Sequence, residues 1–504
     1  MIALALALLC SLQETSSDAD FLRRLTLDLA GTIPTSDKAR AFLADPDPAK
    51  REKLVDRLLA SPDYARRMEQ AITVMFLERR NGGKIPDAQW SDYLKKAFTA
   101  NEPWDKIVRS MIATDGRAEE TRPAMKLLAD GAGGDPNRMT NDVARLFLGR
   151  NLLCAQCHDH PSVKDYKQAE YMGLYAYLSQ SKLQDDPKTK KAVLTETAAT
   201  AKVEFASVFS PGKKHQTGPL LRGGEEIEIP AFEKGKEYEQ PPAKGSPGIP
   251  KFRPRELLAA ALVRHPQFAR NSVNRFWFIF MGRGIIHPLD LDHKANPPSD
   301  PALLDSLTAG FVESGFDVRA LVRRIVTGPQ YSRGGKASPI KPLSAEQMAW
   351  STMTATGNLE RILRGPIPEG SKFTTKDYLS GKSQTPPSSL PDILKLFVAI
   401  FGNAEGEPEV GFQPSMTHAL FLMNDRLVLG WLKPAEGNLV DRLSKVSAAA
   451  VADELYLGVL TRMPDAAERK EVASYLERNG KKLEAALGEL AWALIASTEF
   501  RMNH

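Results

Sequence analysis

One plan of helices and breaks is written twice in this 504-residue chain, once near each end. LDLAGTIPTSDKARAFLAD (27–45) lines up with LGVLTRMPDAAERKEVASYLE (457–477), and VDRLLASPDYARRM (55–68) lines up with LAWALIASTEFRMN (490–503). The shared skeleton is a helix, a turn ending in Pro34 or Pro464, a second helix, and a third with Ser61 or Ser497 near its break. Phe21, Leu22, Leu25 and Leu29 fall at helical spacing, and Leu54, Val55, Leu58 and Leu59 form one apolar face. Two copies do not make a solenoid array. The pattern predicts duplicated three-helix units that pack on each other or on the middle of the chain.

The stretches between them are mostly helical as well. Trp90 and Trp104 read as core anchors of 90–153, and Thr140 or Asn141 starts a helix with Val143, Leu146 and Phe147 on one face. After His160-Pro161 an aromatic helix follows, with Tyr171, Tyr175 and Leu178 on one side. Residues 181–253 change character: VEFASVF and EEIEIPAF are strand-like runs among Gly, Pro and Lys. Helix returns at Pro254, and Val273, Phe276, Trp277 and Phe280 form a buried aromatic helix ending at Gly282 and Gly284. Residues 366–390 and 403–414, rich in Gly, Pro, Ser and Thr, read as loops. The expected fold is mainly α: a multi-helix two-domain protein, 20–180 and 254–504, with a small β-containing insert at 181–253.

A chain this long holds more than one domain. Its 42% hydrophobic and 26% charged residues are those of a soluble globular protein. The net charge of +5 is small, and no basic run stands apart from acidic residues, so no nucleic-acid partner is implied. MIALALALLCSL is too short to span a bilayer but fits the core of a secretory signal, although a basic start is missing. Residues 1–19 are therefore expected to be a leader, the protein to be exported to the periplasm or envelope, and no other membrane span to occur. A lipid-anchor reading of Cys10 is disfavoured by Leu9, where a small residue is wanted. Without the leader, the chain keeps only Cys154 and Cys157 of its three cysteines.

Those two lie in Cys154-Ala155-Gln156-Cys157-His158, the attachment pattern of c-type haem. Each thiol adds to a porphyrin vinyl group, and the histidine becomes an axial iron ligand. The expected cofactor is haem c, held by Cys154, Cys157 and His158, with His158 on the iron. Three other uses compete. The cysteines can form a local disulfide, or join His158 and His160 in a zinc site, although structural zinc sites draw on two separated pairs. A thioredoxin-like motif would want a βαβ context that the helical flanks do not give. For the opposite face of a haem the candidates are Met139, Met172, His293 and His418, none at a diagnostic spacing; the ligand found there would decide between electron transfer and small-molecule chemistry. Asp290, Asp292 and His293 offer hard donors for a divalent cation or, alternatively, helix-capping aspartates in a solvated loop. Asn274 and Arg275 could line a polar pocket, or satisfy backbone and acidic groups beside the core. Gly282-Arg283-Gly284 is too short for a phosphate loop.

FLRRLTLDLAGTIPT, LVDRLLASPDYA, LFLGRNLLCAQCHDHP and KQAEYMGLYAYL together resemble the planctomycete cytochrome-like domain, domain of unknown function 1549, over residues 20–180. VNRFWFIFMGRGII, NPPSDPALLDSL, THALFLMND, LTRMP and STEFRMNH resemble its usual companion, domain of unknown function 1553, over 253–504. The sequence departs from that family at Asp300, where His is common. The resemblance implies an exported protein of planctomycetes or similar bacteria with a c-type haem site at Cys154, Cys157 and His158. Its expected work is electron transfer or haem-dependent redox chemistry, with an envelope or redox protein as partner. The alternative is a haem-free helical binding or scaffold protein.

Overall fold

The structure, a computed structural model, describes residues 16–80, 82–243, 247–333, 340–365, 373–408 and 415–504. The apolar run of the expected leader lies outside these residues. The fold is mainly α, and among the described residues no helix is long and apolar enough to cross a membrane.

The N-terminal unit is built from α1 (Asp18–Ala30), α2 (Ser36–Ala44), α3 (Lys50–Leu59) and α4 (Pro62–Leu77). Its breaks follow local chemistry. Gly31 ends α1 at φ 70°, a left-handed turn open to glycine, and Thr35 and Ser61 cap α2 and α4 through their hydroxyls. Next come α5 (Asp87–Ala100), α6 (Trp104–Ala113), α7 (Pro136–Leu148) and α8 (Gln168–Leu178). Trp90 and Trp104 are buried as expected, and Trp104 donates its indole N–H to Ser272 at 3.1 Å.

The insert holds three antiparallel pairs: β1 (Ser181–Asp185) with β2 (Ala192–Glu196), β3 (Val203–Phe205) with β4 (His215–Thr217), and β5 (Tyr238–Gln240) with β6 (Ile249–Pro250). Two strand expectations need correction. VEFASVF is extended only over β3, and EEIEIPAF (225–232) is irregular. Its alternation serves one anchor, Ile227, which packs against the core and donates its N–H to Pro219 O, while Pro230 has no ladder donor.

The rest of the chain begins with α9 (Pro254–Leu262), α10 (Pro266–Met281), α11 (Pro301–Glu313) and α12 (Val318–Val326). It continues through β7 (Lys341–Pro342), α13 (Ala345–Ala355), α14 (Leu359–Arg364), α15 (Thr375–Leu379), α16 (Leu390–Phe401), α17 (Met416–Asn424), α18 (Arg426–Trp431) and α19 (Leu439–Ser444). It closes with α20 (Ala448–Leu460), α21 (Ala466–Asn479), α22 (Leu483–Ala496), α23 (Thr498–Arg501) and β8 (Met502–Asn503). In the expected loop 366–390, residues 366–372 lie outside the description, but α15 is a helix. Thr374 caps it, and buried Tyr378 donates to Asp425 at 2.9 Å. Residues 403–408 are irregular, and 409–414 lie outside the description.

The repeated plan is present at both ends. Gly31 and Thr461 occupy the same left-handed turn, Thr35 and Asp465 cap the second helix, and Ser61 and Ser497 cap the helix after the third. The two copies pack on each other. Arg23 donates to Val459 O (3.2 Å) and Phe500 O (2.9 Å), and Ser36 donates to Glu454 at 2.6 Å.

Two apolar cores result. The first joins helices from Phe21 onward to α9–α12 and Tyr331, running straight across the insert, and takes Leu457 from α20. The second spans Leu343–Phe500 and takes Leu27 and Ile33 from the N-terminal unit. Between them sits a buried carboxylate, Asp28, which accepts from Tyr331 Oη (2.8 Å), Asn503 Nδ2 (2.8 Å) and Lys341 Nζ (2.6 Å). Lys341 also donates to the carbonyls of Ile279 and Phe280, completing the C-terminal end of α10.

Candidate functional site

Gly149 aims the chain toward the Cys-x-x-Cys-His stretch. It ends α7 at φ 67°, and a Cβ there would meet Asn271 Oδ1 at 2.7 Å, so glycine is required twice over. Arg150 then pairs as an antiparallel bridge with Leu291, and Asn151 N donates to Asp290 O at 2.8 Å. The loop of the C-terminal half is thus stitched to the segment that enters the motif.

Arg150 is the hub of this seam. It is buried, forms a two-point ion pair with Glu170, donates to the carbonyls of Asp165 and Asp292, and lies over the Tyr166 ring at 4.2 Å. Burial pushes the Glu170 and Asp292 carboxyls up, against the pull of their guanidinium neighbours.

Leu153–Gln156 forms a single 3₁₀ turn. With three residues per turn, positions three apart share a face. Leu152 and Ala155 are buried and anchor the inner face, which leaves Cys154 and Cys157 together on the outer one, both free and exposed. The turn is locked from behind: Gln156 Nε2 and Tyr171 Oη both donate to Asn137 Oδ1 at 3.0 Å, and Gln168 Nε2 donates to Gln156 O at 3.3 Å. Tyr171 is buried and stacks on half-buried Tyr175 along α8, their centroids 6.3 Å apart. Burial raises the Tyr171 phenol, and the nearby Tyr175, Asp135 and Cys157 add to the effect.

His158 is half-buried, with its Nδ1 2.6 Å from Asp159 O. A carbonyl only accepts, so Nδ1 carries the hydrogen and the Nε2 lone pair of the neutral ring is left for a metal. His160 has the opposite arrangement. Its Nδ1 accepts the N–H groups of Ser162 (3.1 Å) and Val163 (3.0 Å), which makes it a turn cap. Asp159 fixes the loop, accepting from Gln168 N (3.0 Å) and Lys167 Nζ (2.8 Å); the Lys167 bond holds its carboxyl below the usual range.

Sequence reasoning did not find the insert's part in this site. Val208 N donates to Cys157 O at 3.0 Å, and the Phe209 ring lies 4.9 Å from the His158 ring. Leu153, Val208 and Phe209 are 58%, 58% and 78% exposed, an apolar group around the thiols and imidazole. The only sequence signal was an apolar pair in a segment otherwise rich in Gly, Pro and Lys.

Other candidates are spent elsewhere. Asp290 pairs with Arg275 and Arg145, and Asp292 accepts from Gln267 and faces Arg270 at 3.8 Å. His293 stands edge-on to Tyr166. Among the described residues no three His, Cys, Asp or Glu side chains gather as a metal-binding group, so neither the zinc set with His160 nor the Asp290–His293 set is assembled. Asn274 is buried and exchanges hydrogen bonds with the backbone of Ile286, and Arg275 donates to Arg145 O and Asp290. Asp300, the departure noted above, caps α11 by accepting from Leu303 N. Met139 is buried in α7 and Met172 half-buried on α8; His418 rests on Phe401 in the other half of the molecule.

Residues 7–183 match the family described as PSCyt2: Protein of unknown function (DUF1549), and residues 254–476 match PSD1: Protein of unknown function (DUF1553). The chain belongs to the DUF1549–DUF1553 family. No curated protein and no solved structure matches it. In this DUF1549–DUF1553 protein the thiols and His158 lie in the first matched segment, and the loop bridged to Arg150 lies in the second. Phe209 comes from the unmatched insert between them.

Proposed function

We propose that this chain is an exported c-type haem protein that carries electrons or supports haem-dependent redox chemistry in the cell envelope. The observation that carries the reading is one cluster: two free thiols on the same face of a 3₁₀ turn, followed by an imidazole whose Nε2 is left for a metal. A haem bound there would supply a one-electron iron couple. Cys154 and Cys157 would hold its edge, and His158 would ligate the iron through Nε2. Asp159 O would keep that imidazole oriented and more basic. Leu153, Val208 and Phe209, otherwise costly in water, would give the macrocycle apolar contact.

The export expectation belongs to the same proposal, because thioether attachment takes place outside the cytoplasm on reduced thiols such as these. The test is denaturing electrophoresis with haem staining, after export alongside cytochrome c maturation proteins. The wild-type band should stain, and the double variant Cys154→Ser/Cys157→Ser should not. An unstained wild-type band from folded, exported protein would replace this reading with that of a haem-free helical scaffold.

A further inference from the structure

The two cores do not close on each other completely. A cavity of about 560 Å³ remains between them, within the roughly 300–1,000 Å³ that small-molecule sites occupy. It is separate from the exposed thiol face. Val74 and Met75 of α4, Phe278 and Ile279 of α10, Met348 of α13 and Phe401 of α16 form its apolar wall.

Its polar lining is cationic in balance: Arg67, Arg145, Arg275, Lys341 and Arg501 against Asp290, Glu346 and Glu407. Most of these charges hold one another or groups behind the wall. Lys341 is held by Asp28, Arg145 by Glu78 and Asp142, Glu346 by Arg79, and Asp290 by Arg275. Arg501 differs. It donates Nε to Ser497 O at 3.3 Å and has no carboxylate partner among the described residues. Arg275 lies on the same wall but is held by Asp290 and Arg145 O. Ser344, the N-cap of α13, also lines the cavity, so the positive end of an eleven-residue helix faces the same space.

We propose that this cavity binds a small organic anion of the carboxylate class, its acidic head drawn to Arg501 and its hydrocarbon or aromatic body set against Phe278, Ile279 and Met348. A guanidinium without a carboxylate partner favours an acid over its neutral analogue. The apolar wall favours an acid with a body over an inorganic ion. The proposal does not depend on haem attachment.

Calorimetric titration of the full chain with 4-phenylbutyrate, and with the neutral 4-phenylbutanamide, tests it. The expected result is saturable one-to-one binding of the acid, with the amide weaker by about tenfold or more. Arg501→Gln should weaken the acid by a similar factor and leave the amide unchanged. Ile279→Trp, which fills the apolar wall, should abolish binding of both; circular dichroism confirms that each variant is folded. The proposal is overturned if the acid shows no saturable binding, or if acid and amide bind alike and Arg501→Gln changes neither.

Discussion

Asp28 holds three donors from three distant parts of the chain and is itself out of water. Removing one partner of a buried pair leaves the other charge uncompensated. Asp28→Ala should therefore cost about 3–5 kcal/mol in urea denaturation, and Lys341→Met, which leaves the Asp28 carboxylate buried without its cation, should be costly for the same reason. Glu69 on α4 gives a pH signature. Burial pushes its carboxyl up to about 7, against partial relief from Lys95, Ser91 and Thr73. Between the ordinary carboxyl value and about 7 the folded chain keeps a proton that the unfolded chain releases, so stability falls as pH rises through that window. Glu69→Gln has no such proton. Its stability advantage over wild type should grow by up to about 3 kcal/mol across the window, read from denaturation midpoints at several pH values; equal pH profiles would contradict the assignment. Cys154, Cys157 and His158 were legible in sequence because Cys-x-x-Cys-His is a pattern of fixed local spacing. Asp28, Arg150 and Phe209 were not, because each acquires its role from residues far away in the chain.

Helix ends were readable for the same local reason: a cap is a bond between near neighbours. Ser61 accepts from Tyr64 N and Ser497 from Phe500 N, so Ser61→Ala and Ser497→Ala should each cost about 1 kcal/mol. Thermal denaturation that finds one of them neutral would break the equivalence of the two copies. Gly149→Ala acts on the turn that enters the thiol loop. A left-handed backbone and contact with Asn271 work against the methyl group, so a loss of about 1–3 kcal/mol is expected, with poorer haem incorporation in the export assay. The strand-like run 225–232 misled because alternation is also what a single buried anchor, Ile227, looks like when polar residues surround it.

At the scale of the molecule, the insert separates the two family matches but does not separate the cores. Helices α9–α12 complete the core begun by α1–α8. Residues 16–253 alone should therefore expose apolar surface and lack a cooperative transition, whereas 16–333 should unfold cooperatively; dye binding and near-ultraviolet dichroism read the difference. Helical periodicity made the fold class legible, but periodicity shows only that a face is buried. Which helices share a core depends on contacts across hundreds of residues, such as those of Leu27 with the second core. The same long-range assembly brings the insert's Phe209 to His158 and fastens the thiol loop through Arg150. Whether that assembly serves a haem is decided most directly by intact mass. Protein exported with a cytochrome c maturation system should, after full denaturation, exceed the mass of its polypeptide by one haem, and Cys154→Ser/Cys157→Ser should not. A folded, exported wild-type chain with the bare polypeptide mass would contradict the account.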